Sequence, residues 1–219
     1  MSKRGVFISL EGIEGCGKST QARMLHEYIS GLGYNVVLTR EPGGTPIAEK
    51  IRGILLDPSN EDMTDITELF LYLASRSQHV EQVIKPALND EKIVICERFS
   101  DATCAYQGYA RGLDLQVIEN LTQIATKGLE PDLTIVLDLE VEEGLLRAER
   151  FKNHLDRVES QSIEFHNKVR KGYLDIARRH SERVKVVDAN GSVEDVHLRI
   201  KQCVYHIFLT KNDGRDSEL

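Results

Sequence analysis

The sequence predicts an α/β fold in which a five-stranded parallel sheet is flanked by helices, and three observations carry that expectation. Five short runs rich in Val, Ile and Leu recur at 6–10, 36–39, 93–96, 133–137 and 184–187. Each is too short for a helix and continuous rather than alternating, as strands covered on both faces are. The stretches between them carry apolar residues at helical spacing, and a glycine-rich segment stands directly behind the first run. Strands alternating with helices give a parallel sheet.

Each element has its own signal. Behind the first strand and its loop, Met24, Leu25, Tyr28 and Ile29 form one helical face. After the second strand, Thr45-Pro46 pairs an N-cap with proline at the first helical position, and Asp57-Pro58 closes that helix. Ile66, Leu69, Phe70 and Leu73, then Val80, Val83, Ile84, Ala87 and Leu88, continue the helical period up to the third strand. Within that stretch Pro86 predicts a kink or break. Pro131 precedes the fourth strand, and Ser192 caps a helix after the fifth. One domain is expected over 1–209 with a short lid around 147–158, followed by a polar tail at 210–219.

With 219 residues, 41% hydrophobic and 29% charged, the chain can bury a sizeable core. Its 28 Lys and Arg against 35 Asp and Glu leave a net charge of -7. That excludes broad gripping of nucleic acid or of an anionic membrane, while leaving room for a local basic pocket. Cys16, Cys96, Cys104 and Cys203 show neither a C-x-x-C pair nor zinc-site spacing. No run approaches the roughly 18 apolar residues of a membrane span, and the start of the chain shows no secretory h-region. A cytoplasmic protein is expected.

The chemistry begins at Gly12-Ile13-Glu14-Gly15-Cys16-Gly17-Lys18-Ser19-Thr20, which fits G-x-x-x-x-G-K-[ST] between a strand and a helix. Glycines let the backbone curl until successive N–H groups point at phosphate oxygens. Lys18 can then reach the β and γ phosphates, and the Ser19 hydroxyl can ligate Mg²⁺. This P-loop predicts a nucleoside triphosphate site. A guanine switch would carry N-K-x-D, whereas Asn167-Lys168-Val169-Arg170 lacks the Asp; a small-molecule phosphotransferase is favoured.

Three further segments follow the P-loop in order: Thr39-Arg40-Glu41-Pro42-Gly43-Gly44-Thr45; Glu97-Arg98-Phe99-Ser100-Asp101 running on to Ala105-Tyr106-Gln107-Gly108; and the stretch from Arg147 through Leu155-Asp156-Arg157-Val158-Glu159. With them the chain resembles bacterial thymidylate kinases, nucleoside-monophosphate kinases, along nearly its whole length. The resemblance implies that ATP and dTMP are the substrates, that dTDP is made for dTTP synthesis, that Mg²⁺ accompanies ATP, and that the protein is a homodimer.

By the same resemblance Phe70 stacks on thymine, Arg76 bonds its edge, and Thr103 and Gln107 complete the base pocket. Arg52 and Arg98 clamp the acceptor phosphate, a task suited to guanidinium forks. Glu14 lies by the deoxyribose 3′-hydroxyl. Glu97 stands where the family commonly has Asp, and serves Mg²⁺ through water. Arg150 and Lys152, and more weakly Arg147, close onto the ATP phosphates, while 188–193 forms the adenine-side loop. Rival readings are another P-loop nucleotide or deoxynucleoside kinase, and a catalytically silent ATP-binding module.

Overall fold

The computed structural model describes residues 4–151 and 156–211, with residue 151 and residues 206–211 in backbone only. All five apolar runs are strands: β1 (Phe7–Gly12), β2 (Val36–Arg40), β3 (Ile93–Glu97), β4 (Leu133–Asp138) and β5 (Val184–Asp188). They pair in parallel in the order β2-β3-β1-β4-β5. The residues of β1 are buried throughout, which is why its sequence is a continuous rather than an alternating apolar run. β1 lies between β3 and β4, with β2 and β3 placed on one side of it and β4 and β5 on the other, and such a switch in direction opens a crevice at the carboxyl edge of the sheet.

Helices cover both faces. α1 (Lys18–Gly31) and α9 (Val193–Lys211) pack together, as do α2 (Pro46–Leu56) and α3 (Asp65–His79). Thr45 caps α2, accepting from the Ala48 N–H at 3.2 Å, with Pro46 in the first turn. A wide π turn at Val80–Ile84 follows α3 and leads into the short α4 (Lys85–Asn89). It absorbs the break that Pro86 imposes, since the ring has no N–H to give and presses on the preceding turn.

α5 (Ser100–Thr103) runs into a second π turn, Cys104–Ala110, which packs closely on α8 (Ile163–Arg179). α6 (Leu115–Thr126) lies against α3, and α7 (Val141–Phe151) follows β4. Ser192 closes a capping box at α9: its Oγ accepts from the Asp195 N–H at 3.1 Å while Asp195 accepts from the Ser192 N–H at 3.3 Å. α9 runs on to Lys211, into the segment expected to be tail; residues 212–219 lie outside the described residues. All four cysteines are free. No helix among the described residues is long and apolar enough to cross a membrane.

Candidate active site

The P-loop joins β1 to α1 at the crevice. Gly12, Gly15 and Gly17 have φ of 135°, 69° and 94°, conformations that glycine adopts without steric cost. Gly15 is also where α7 presses in: a Cβ there would stand 1.8 Å from the Gly144 carbonyl oxygen. Gly17 is the N-cap of α1 and has no side chain to occupy the first amides of the helix, so these remain available to an anion. Lys18 is 8% exposed and donates to the carbonyls of Gly12 at 3.1 Å and Ile13 at 2.6 Å. Cys16 is buried with its Sγ 3.6 Å from Lys18 Nζ.

Two cavities meet at this loop. One, of about 410 Å³, is lined by P-loop residues from Glu14 to Thr20, by Gln21 and Arg147, and by Ala189, Gly191, Ser192, Val193 and Val196. The loop after β5 thus shares this cavity with the P-loop. The other, of about 360 Å³, has Arg40, Arg52, Arg98, Tyr72, Arg76, Thr103 and Gln107 among its walls. Glu14, Lys18, Ser19 and Glu159 line both.

The end of β3 supplies the central side chains of the second cavity. The register sets Glu97 beside Leu10 of β1, and the Ser19 hydroxyl donates to Glu97 Oε2 at 2.6 Å. Arg98 follows with a left-handed backbone, φ 65°. Its Nη1 donates to the Gly12 carbonyl at 3.0 Å and to the Tyr173 oxygen at 3.2 Å, and its Nη2 pairs with the Glu14 carboxylate. The guanidinium carbon lies 4.9 Å from the centre of the Tyr106 ring. Burial works against its charge, but Glu14 together with Tyr106, Tyr173 and Glu11 outweighs burial and holds its pKa well above the usual arginine value.

Arg52 donates to the Pro42 carbonyl at 2.9 Å. Burial and the nearby charge of Arg40 lower its pKa, as expected where positive charges gather without full compensation. Ser19 and Glu97 offer a hydroxyl and a carboxylate in contact between the two cavities. This oxygen set fits a hard cation that keeps several waters and shares phosphate oxygens. Among the described residues no group of three or more His, Cys, Asp or Glu could hold a metal alone.

In the same cavity Arg76 is 2% exposed and donates to Glu41 Oε2 at 2.7 Å, Thr103 Oγ1 at 2.8 Å and the Phe99 carbonyl at 2.9 Å. Burial alone would raise the Glu41 pKa, but Arg76 and His79 bring it below the ordinary carboxylate value. Gln107 Nε2 donates to Glu68 Oε1 at 2.8 Å, which turns its own carbonyl oxygen toward other partners. Glu68 also accepts from Arg111 at 3.1 Å and from Arg157 at 2.5 Å. Arg157 is thereby a buried tie between the end of the expected lid segment and α3.

Phe70 is not brought to this cavity. It is 54% exposed and absent from the walls, and the α3 aromatic that lines the cavity is Tyr72. The reason is helical phase: Tyr72 lies four residues before Arg76 and shares its face, whereas Phe70, six before, is turned away by about 120°. Arg147 lines the first cavity and also pairs with Glu143 at 2.8 Å. Arg150 is exposed and is not among its walls. Lys152 lies outside the described residues. Arg40, Tyr72, Tyr106 and Gly144 were not singled out by the sequence, although Arg40 and Tyr106 sit inside the motifs quoted above.

Comparisons with known proteins agree with this geometry. A family model described as thymidylate kinase matches residues 10–200. The thymidylate kinase of Syntrophotalea carbinolica is 54% identical over 200 residues, spanning 89% of this chain and 92% of that one. That of Geotalea daltonii is 52% identical over 206 residues, spanning 91% and 96%. The crystal structure of thymidylate kinase from Ehrlichia chaffeensis superposes with a TM-score of 0.76 at 36% identity, covering 92% of this chain and 99% of that one. With a P-loop at the meeting point of two cavities, and with relatives matched over nearly their full length, the chain belongs to the thymidylate kinase family.

Proposed function

We infer that this chain transfers the γ-phosphoryl group of ATP to dTMP, giving ADP and dTDP for dTTP synthesis. The observation that carries the reading is the pair of cavities sharing Glu14, Lys18, Ser19 and Glu159, since direct transfer needs donor and acceptor to meet at one point. ATP occupies the cavity between the P-loop and the loop after β5. Residues Gly12 to Thr20 hold its phosphates through backbone N–H groups, and Lys18 exchanges its loop carbonyls for phosphate oxygens. Arg147 is the lid-side cation placed to face them; Arg150, exposed and outside the cavity walls, is not assigned.

dTMP occupies the second cavity. Arg52 and Arg98 hold its phosphate, while Glu14 stands beside Arg98 on the sugar side. Tyr72 supplies the flat apolar face for thymine, replacing Phe70 in that role. Arg76 donates to a base carbonyl, supported by Thr103, and the free carbonyl oxygen of Gln107 accepts from the ring N–H. Ser19 directly, and Glu97 through water, would hold the Mg²⁺ that accompanies ATP, and that ion would supply neutralisation of charge on the phosphates.

An oxygen of the acceptor phosphate forms a bond to the γ-phosphorus as the bond to the β–γ bridging oxygen breaks, and that oxygen leaves on ADP. No general base is required. A phosphomonoester has a second pKa near 6, so roughly nine in ten acceptors carry the dianion at pH 7. Catalysis then comes from alignment and from charge stabilisation by Lys18 and Arg98. The protein works in the cytoplasm as a homodimer. The exposed Ile47 and Ile54 of α2, Ile66 and Phe70 of α3, and Val117 and Ile124 of α6 support the dimer, because they lie on neighbouring helices of one layer.

The test is ADP formation with Mg·ATP and each of dTMP, dUMP, dGMP, dCMP, AMP and thymidine, with the product identified by mass. A clear preference for dTMP is expected, and Lys18→Ala should abolish transfer while the fold persists. Preference for thymidine or another monophosphate would replace the substrate assignment. ATP binding without transfer to any acceptor would make the chain a silent binding module.

A further inference from the structure

We propose that Glu11 is a positioning residue for Arg98 that holds that arginine at both ends. The inference rests on the assignment of Arg98 to the acceptor phosphate. Glu11 is fully buried, the residue before the P-loop, and takes no part in the transfer described above. Its Oε1 accepts from the Phe99 N–H at 2.6 Å, the amide directly after Arg98. Its Oε2 accepts from the Tyr173 O–H at 2.9 Å, and the oxygen of that phenol accepts from Arg98 Nη1 at 3.2 Å. One carboxylate therefore fixes the turn at the base of the side chain and, through a phenol, the guanidinium at its tip.

Both tethers are needed for physical reasons. A non-glycine residue at φ 65° persists only where its surroundings impose it, and the Phe99 amide is the point at which Glu11 does so. At the other end, Tyr173 can accept from Arg98 while donating its own hydrogen to Glu11, so the two bonds polarise one another. Glutamine would fill the same space but could not serve both donors, since its NH₂ group would face the phenol hydrogen or the amide.

The charged and titratable groups near Glu11 include Asp101 from α5, Arg98, and Tyr173 from α8, with Cys96 of β3 and Arg183 also within reach of its charge. Asp101 is itself held by Arg183 at 2.7 Å. Burial, with Asp101, pushes the Glu11 carboxyl up to about 7. Keeping a carboxyl here rather than a neutral isostere is unfavourable near neutrality, and the two tethers supply a reason for it.

The test is a double-mutant cycle read in steady-state kinetics, with thermal unfolding as a check on folding. Glu11→Gln should lower kcat/KM for dTMP about thirty-fold, leave the KM for ATP within about two-fold, and cost less than about three-fold when added to Arg98→Lys. Tyr173→Phe, which removes only the linking oxygen, should give a smaller loss in the same parameter, again absent beside Arg98→Lys. If the losses multiply in both backgrounds, or fall on ATP, Glu11 does not act through Arg98 and the proposal is overturned. Should Glu11→Gln fail to fold, the Tyr173→Phe cycle decides by the same criterion. An Arg98→Lys enzyme as active as the parent would overturn the assignment of Arg98 itself, whereas an impaired Arg98→Lys beside an indifferent Glu11→Gln would overturn this inference alone.

Discussion

Tyr72 and Phe70 are two residues apart on one helix and face different tasks. Tyr72→Ala is expected to raise the KM for dTMP by about ten-fold or more, because stacking an aromatic on a base contributes ~1–3 kcal/mol. Phe70→Ala should leave that constant within about two-fold; a titration of initial rate against dTMP checks both. Glu11 offers a second residue-level test, through pH. Its pKa is raised from 4.5 to about 7 on folding, so its protonated form is favoured in the native state. The parent protein should lose stability relative to Glu11→Gln as pH rises from about 4.5 to about 7, by on the order of 3 kcal/mol in all, and the gap should then level off. Chemical denaturation at pH 5, 6, 7 and 8 measures it. Residue-level legibility was uneven for the same reasons. Lys18 and Ser19 were readable because the P-loop motif fixes them, while Arg98, Arg76, Thr103 and Gln107 came only with the family resemblance; all six stand at the cavities. Phe70 was misplaced because the resemblance was carried onto the wrong aromatic of α3, two residues before the one that shares the face of Arg76.

At the level of elements, α7 meets the P-loop backbone to backbone. A Cβ on Gly144 would lie 2.5 Å from the Glu14 carbonyl oxygen and 3.0 Å from Ile13 Cδ1, so Gly144→Ala must push helix and loop apart. Calorimetry should show ATP binding weakened about ten-fold, with a loss of about 1–3 kcal/mol in stability. Gly31→Ala, at the end of α1 where an added Cβ would meet nothing within 4 Å, should leave binding unchanged. This contact left no trace in the sequence, where Gly144 reads only as a small residue in a helix. The strands, by contrast, were legible because burial on both faces writes itself as an unbroken apolar run; all five are present and extend one or two residues past their predicted ends. Caps at Thr45 and Ser192 were legible too, being local hydrogen bonds between near neighbours. The π turns were not, since an extra residue in a turn carries no compositional mark.

For the molecule as a whole, three neighbouring helices expose Ile47, Ile54, Ile66, Phe70, Val117 and Ile124, and a second copy of the chain is the proposed cover. Ile66→Glu combined with Phe70→Glu is expected to convert a sedimenting dimer into a monomer, because two buried charges without partners would oppose association. A dimer that persists would place the interface elsewhere. One further property belongs to the whole site and follows from Lys18, whose ammonium already bonds two carbonyls of its own loop. An anion that reaches this lysine must replace two carbonyl partners, while the first amides of α1 stand ready to receive it. A triphosphate chain, laying several oxygens along the loop at once, gives the lysine and the amides new partners together. A triphosphate thus gains from the lysine and the amides together, whereas a shorter run of phosphates engages fewer of them.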